Sequence, residues 1–254
     1  MIDAHCTPCK VWGIKPVLGK FGEFNINAYP LFITLALIVG LSTYYILARE
    51  ERQVSEKSFY LLLAGLFGGI LGAKIPIWLI HLPELLHRQI TVIELLSGRT
   101  ITGGLLGGTL TVMYIKRRLH ITDRKGNLFA PAIALGVAVG RIGCFLRGCC
   151  FGTPTNLPWG VDFGDQVLRH PTQLYEILFM LGIFFYLLHR RKTALPGELF
   201  YILMNSYFIF RFFEEFIREN QHYLGLSLFQ YIAIIAIIFI NVKQHITVKK
   251  NSQP

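Results

Sequence analysis

Charge is what this chain has least of. Of its 254 residues, 16% are Asp, Glu, Lys or Arg, against about 25% in soluble domains. Hydrophobic residues make up 53%, and mean hydropathy is +0.48. That balance excludes an ordinary soluble domain and points to an integral membrane protein. Acidic residues are the scarcer sign, 15 against 25 Lys and Arg, for a net charge of +10. In a soluble protein such an excess suggests nucleic acid. Here the basic residues stand at the ends of apolar segments, where they face anionic lipid and set orientation, so no nucleic-acid partner is expected. The stretch Met1 to Gly22 lacks a continuous apolar core, so no cleavable signal peptide is expected. Cysteine is sparse as well. Cys6-Thr-Pro-Cys9 reads as a redox pair, half a metal site or a disulfide. His5 adds a fifth-position donor, but four ligands are not visible there.

The apolar segments fall at 27–48, 58–81, 100–115, 127–146, 173–189, 198–217 and 225–242. Most approach the roughly 20 residues that span a bilayer. The segment at 100–115 is short and Gly-rich, which predicts an irregular or shielded span. The fold class is therefore all-α and membrane-integral, with about seven transmembrane helices and an outward-facing loop region. A single domain is expected: a lead-in at 1–26, a membrane core at 27–242 and a tail at 243–254. Lys and Arg number three, five, three and three in 49–57, 116–126, 190–192 and the tail. They number three, two, two and one in the head, 82–99, 147–171 and 218–224. The first set is cytoplasmic by the positive-inside rule, which puts the N-terminus and the 147–171 loop outside.

The chain is organised around Gly140-Arg141-Ile142-Gly143-Cys144-Phe145-Leu146-Arg147-Gly148-Cys149-Cys150-Phe151-Gly152. It follows the apolar run Ala130–Val139, and an arginine at the end of such a run is costly in hydrocarbon. The glycines let backbone approach a helix or a ligand. Arg211, Glu215 and Arg218 share one helical face by their spacing. One reading pairs Arg211 with Glu215 as a packing lock. The other has the two arginine sets converging on one anionic guest, for which phosphate suits the guanidinium fork. Lys74, Thr102 and the glycine pairs at 103–104 and 107–108 also interrupt the spans.

The motifs Thr102-Gly-Gly-Leu, Gly140-Arg-Ile-Gly-x-Phe, Pro158-Trp-Gly, Arg169-His-Pro-Thr-Gln-Leu-Tyr-Glu176 and Arg211-x-x-x-Glu-Phe-x-Arg218 resemble, in that order, the prolipoprotein diacylglyceryl transferase family. The resemblance runs from about Tyr29 to the last span. It implies a transferase of the bacterial inner membrane. Such an enzyme moves the diacylglyceryl group of phosphatidylglycerol to a lipobox cysteine thiol of a prolipoprotein or another thiol acceptor. No cofactor is implied.

Carried over residue by residue, the resemblance implies catalytic roles for Arg141, Arg211 and Glu215. It implies substrate contacts from Tyr29, Lys74, Thr102, Gly103, Gly104, Gly140, Gly143, Cys144, Cys149, Gly152, His170, Gln173, Tyr175 and Glu176. Arg141 and Arg211 would hold the phosphate and stabilise it as it departs. The chain departs from the family pattern at several places. Cys144, Arg147 and Cys149 replace two asparagines and a glutamate of the signature. Thr102 stands where the family has a histidine proposed as base, and Lys74 where an arginine is usual. The cysteines then form a nucleophilic or redox site, a disulfide with another outward cysteine, or a metal site that lacks an evident fourth ligand.

Overall fold

The computed structural model describes residues 13–53, 55–80, 98–122, 125–220 and 222–251. Cys6, Cys9 and His5 lie outside the described residues. A hairpin of β1 (Val17–Phe21) and β2 (Phe24–Asn27) leads into α1 (Ala28–Glu50). Then come α2 (Glu56–Gly72), the short α3 (Ile75–Ile80), α4 (Ile101–Arg118) and α5 (Gly126–Arg147). The two-residue strands β3 (Val161–Asp162) and β4 (Leu168–Arg169) precede α6 (Thr172–Arg190). α7 (Glu198–Glu214) ends in a 3-10 turn, Glu215–Ile217. The pair β5 (His222–Tyr223) and β6 (Leu226–Ser227) feeds α8 (Leu228–Asn251).

Among the described residues, five helical stretches are long and apolar enough to cross a membrane: α1, α2 with α3, α5, α6 and the first part of α8. α4 carries Lys116, Arg117 and Arg118 in its last turn, and α7 is 17 residues long. Seven long elements thus lie close to the seven expected spans. The second expected span breaks after Gly72. Pro76 cannot donate a backbone hydrogen bond and disfavours helical backbone just before it, so the helix restarts as α3. The Gly-rich segment resolves as a regular helix that α2 shields.

Those glycines make the shielding possible. Gly68 and Gly72 on α2 face Gly103 and Gly107 on α4. A Cβ at Gly72 would stand 2.5 Å from the Gly103 carbonyl oxygen and 2.7 Å from Gly107 Cα. Only bare backbone fits, the small-xxx-small solution for helices that gain no hydrophobic energy in lipid. α5 is the central helix. Its buried residues run from Leu128 to Phe145, and it packs on α1, α6 and α7. Ala130, Ala134 and Ala138 join Met180, Leu203, Met204, Tyr207 and Phe208 in the main core.

The α2–α4 pair packs on the remaining helices chiefly where α4 meets α8. A cavity of about 1320 Å³ occupies the space between that pair and the body of the bundle. The charged residues at the helix ends sort by side. Arg49, Lys116, Arg117, Arg118, Lys125 and Arg190 stand where α1, α4 and α6 end and α5 begins. Lys125 Nζ bridges Ser55 Oγ at 2.7 Å and Ser58 Oγ at 2.6 Å, and Arg191 pairs with Glu50 at 2.8 Å. The opposite end carries the short hairpins and the cysteine-bearing loop.

Candidate active site

The loop after α5 owes its shape to two left-handed residues. Gly148, at φ 74°, caps the helix, with its N–H bonded to the Phe145 carbonyl at 2.9 Å and the Cys149 N–H to the Cys144 carbonyl at 3.2 Å. That is the ordinary use of glycine at a helix C-terminus. Cys150 is also left-handed, at φ 69°. This is an uncommon conformation for a non-glycine residue, and the surroundings must hold it. Its effect is to curl Cys149 and Cys150 back toward Cys144. The three sulfurs lie within 4.8 Å of one another, with Cys149 and Cys150 Sγ 3.6 Å apart. All three are free thiols. Hydrogen bonding with Cys144 and Cys149 holds the Cys150 thiol well below its ordinary range. Contacts with Cys144 and Cys150 push the Cys149 thiol far up.

The Arg169–Glu176 block stands behind this loop and fixes it. Thr172 Oγ1 donates to the Cys150 carbonyl at 2.7 Å, and Gln173 Nε2 donates to the Cys149 carbonyl. Trp159 Nε1 donates to Tyr175 Oη at 2.8 Å, and Tyr175 Oη meets His170 Nδ1 at 3.1 Å. Arg169 ties Asp165 at 2.6 Å and Glu219 at 2.7 Å. Gly152 is wedged against Ile217, His170 and Thr172, and its N–H bonds the His170 carbonyl at 2.9 Å. None of His170, Gln173, Tyr175, Glu176 and Gly152 lines the cavity. They form its supporting wall.

Under that wall lies a buried ionic network. Arg141 pairs with Glu176 at 2.5 Å, and both side chains are under one-tenth exposed. Arg211 pairs with Glu214 and, at 2.6 Å, with Glu215. Arg218 reaches Glu214 at 3.9 Å. Glu215 also accepts from Ser227 Oγ at 3.0 Å and from Asn220 Nδ2. Three arginines thus meet three glutamates, so the network is close to neutral. Tyr207 Oη, fully buried beside it, has no hydrogen-bond partner among the described residues, nor has Arg141 Nε.

The cavity reaches this network at Arg141, Arg211 and Arg218. Tyr29, Arg99, Thr102, Gly104, Gly140, Arg141, Cys144, Arg147, Cys149, Cys150, Arg211, Arg218 and Asn220 line its polar end. Aliphatic and aromatic residues of α1, α2, α4 and α5 line most of the rest, down to Lys116, Lys125 and Lys243. The structure therefore brings Tyr29, Thr102, Gly104, Gly140, Cys144 and Cys149 to one cavity with Arg141 and Arg211. Gly103 faces Gly72, and Gly143 faces Phe32 and Tyr29, so both serve close helix packing. Lys74 does not itself line the cavity, but its Nζ donates at 3.0 Å to the carbonyl of Gly98, which does.

Sequence reasoning passed over Glu214, Tyr207 and Arg99 here, whereas it grouped Arg147 with Arg141 as one of two arginine sets facing an anionic guest. Glu214 and Tyr207 belong to the network. Arg147, whose guanidinium lies 5.0 Å over the Tyr29 ring, and Arg99 belong to the mouth. No carboxylate among the described residues pairs with either cation. The spacing of Glu214 from Arg211 carried a signal, since positions i+3 and i+4 are both within reach. Arg99 and Arg147 are placed by the tertiary fold alone.

The arrangement can hold an amphipathic anion. An apolar channel accepts chains, and arginines at one end accept a phosphate or carboxylate beside three thiols. A family profile described as prolipoprotein diacylglyceryl transferase matches residues 16–244. A Clostridium tetani protein named phosphatidylglycerol–prolipoprotein diacylglyceryl transferase is 31% identical, over 89% of this chain and 94% of its own length. Proteins of the same name from Wolbachia pipientis wMel and Geobacter sulfurreducens are 33% and 32% identical. Each alignment covers 84% of this chain and 85% of the relative.

Proposed function

The chain belongs to the prolipoprotein diacylglyceryl transferase family, and we propose that it moves the diacylglyceryl group of phosphatidylglycerol to a cysteine thiol of a prolipoprotein. The observation that carries this reading is the cavity. Its volume of about 1320 Å³ exceeds the roughly 300–1,000 Å³ of ordinary small-molecule pockets. It is apolar along most of its length, between an arginine-lined end and Lys116, Lys125 and Lys243 at the other, which suits a two-chain anionic phospholipid with its headgroup at the arginines. With the acyl chains between α1, α2, α4 and α5, the phosphate reaches Arg99, Arg147 and the buried Arg141 and Arg211.

The chemistry is an alkyl transfer. The acceptor sulfur attacks the glycerol carbon that carries the phosphoester. A carbon–sulfur bond forms, the carbon–oxygen bond breaks, and glycerol phosphate leaves with the electron pair. Fixed guanidinium groups stabilise the charge that grows on the leaving oxygen in a low-dielectric site. Glu176, Glu214 and Glu215 orient those groups. The basic ends of α1, α4 and α6 face the cytoplasm by the positive-inside rule, which sets the cysteine loop and N-terminus outside the inner membrane. There the lead-in before Asn27 joins the loop region, residues 27–242 form the membrane core, and the last residues turn inward.

No histidine or carboxylate lines the cavity among the described residues. That observation favours a second reading, a lipid-binding protein without turnover, or a transferase with another acceptor. Expression in cells depleted of their own transferase, with mass spectrometry of a reporter lipoprotein, separates them. Restored growth and a diacylglyceryl-modified cysteine support the transferase. An unmodified reporter alongside copurifying phosphatidylglycerol supports the binder.

A further inference from the structure

The acceptor thiol must lose its proton before or as it attacks, because the thiolate is the nucleophile. The described cavity lining offers no histidine or carboxylate for that task. It offers three convergent sulfurs. We propose that Cys144, Cys149 and Cys150 form a three-thiolate site for one thiophilic divalent cation of the zinc type, whose open fourth position takes the acceptor thiol. The inference rests on the transferase reading above.

The geometry suits such an ion. Zinc–sulfur bonds of ≈ 2.3 Å place tetrahedral thiolates roughly 3.8 Å apart. The Cys149 and Cys150 sulfurs are 3.6 Å apart, and all three lie within 4.8 Å. Preorganisation is built in. Cys150 is held left-handed, and Thr172 and Gln173 grip the carbonyls of Cys150 and Cys149. Three thiolates on a divalent ion leave one negative charge. Arg141 Nη1, 3.9 Å from Cys144 Sγ, offsets it. Three protein ligands with one position left open are the usual pattern of a catalytic zinc site. All three cysteines line the cavity, together with Arg141 and Arg147.

The step balances without any redox partner. The acceptor thiol binds through sulfur, its S–H bond breaks, a metal–sulfur bond forms, and the proton passes to water. A metal-coordinated thiol is deprotonated outright. Its sulfur then attacks the glycerol carbon as the phosphoester carbon–oxygen bond breaks. The electron pair departs on glycerol phosphate. The thioether product is a weaker ligand and leaves the metal.

The test uses the full chain in detergent, stripped of metal under reducing conditions and titrated with Co2+. The expected result is one Co2+ per chain, with thiolate-to-cobalt charge-transfer bands and tetrahedral visible bands, displaced by Zn2+. Cys149→Ser and Cys150→Ser should each weaken binding at least tenfold, while Cys6→Ser/Cys9→Ser should retain it. A lipobox peptide should change the cobalt spectrum. Several results overturn the proposal. They are a wild type with no charge-transfer band, an unchanged spectrum in Cys149→Ser, and metal loss in Cys6→Ser/Cys9→Ser. An intact mass lacking two hydrogens in the Cys6→Ser/Cys9→Ser protein, marking a disulfide among Cys144, Cys149 and Cys150, does the same. Full transfer by the metal-free protein overturns the metal's role and leaves the transferase reading standing. A peptide-sensitive cobalt site without transfer supports the site and overturns that reading.

Discussion

Replacing Glu176 with Gln should separate the two tasks of Arg141. Its guanidinium meets the Glu176 carboxylate at 2.5 Å, with the glutamate side chain fully buried. The amide keeps shape and removes charge, so Arg141 is left buried and uncompensated. Breaking one side of a buried pair costs about 3–5 kcal/mol. The variant should lose that much unfolding free energy in mixed-micelle denaturation. An anionic lipid phosphate can then take the carboxylate's place. Phosphatidylglycerol should stabilise Glu176→Gln more than it stabilises the wild type. A tenfold gain in affinity would add about 1.4 kcal/mol at saturating lipid.

Diacylglycerol, which fills the same apolar channel without a phosphate, is the control. It should stabilise both proteins alike. The double variant Arg141→Met/Glu176→Met should recover most of the lost stability, since an apolar pair of similar volume replaces a buried ion pair at little net cost. It should lose the preference for phosphatidylglycerol. A Glu176→Gln protein as stable as the wild type would refute the reasoning. So would equal rescue by diacylglycerol, because then no charge on Arg141 awaits an anion.

Other outcomes follow from the same geometry. Arg141→Lys and Arg211→Lys should each lower diacylglyceryl transfer at least tenfold, roughly 1.4 kcal/mol in barrier, because lysine lacks the planar fork. Wild-type turnover in both would leave them as packing residues. Gly72→Val should destabilise by about 3 kcal/mol, the upper end of overpacking costs, since its side chain meets backbone of Gly103 and Gly107. Gly182→Ala, in open space on α6, should instead stabilise by up to about 1 kcal/mol, and the two unfolding midpoints check the pair. For orientation, in a background with the native cysteines replaced by serine, Leu224→Cys in the exposed β5–β6 turn should react with an impermeant maleimide from outside intact cells. Leu119→Cys, at the basic end of α4, should react only after the membrane is opened; the reverse pattern would invert the topology.

Much of the fold was legible because lipid demands it. A span must be continuous and apolar, and the segments at 27–48 and 127–146 match α1 and α5 to within a few residues. The segment at 58–81 read as one span, and the break after Gly72 at Pro76 came only with the structure. The site was legible in part. Arg141, Arg211 and Glu215 declared themselves as charges in apolar surroundings. Periodicity could not show that the Arg169–Glu176 block stands behind the cysteine loop. Nor could it show that Arg99 and Arg147, far apart in sequence, share a cavity mouth. The convergence of Cys144, Cys149 and Cys150 depends on a left-handed cysteine, which nothing in the residue's own preferences announces.

The balance of charge decides how such a site can exist in a membrane at all. Three arginines in hydrocarbon would be prohibitive alone, and three glutamates bring the buried network near neutrality. A neutral network gives little long-range pull on an anionic headgroup. That pull falls to Arg99 and Arg147, which are exposed at the cavity and carry no carboxylate partner among the described residues. The division has a physical logic. Solvated cations at the mouth raise the encounter with anionic lipid at little folding cost. The buried pairs hold Arg141 and Arg211 in fixed directions, so no reorganisation is needed as charge develops on the leaving phosphate. Neutralising Arg147 should therefore weaken capture of phosphatidylglycerol and raise KM with kcat little changed. Neutralising Arg211 should lower kcat, because its contribution is made where charge appears during the reaction.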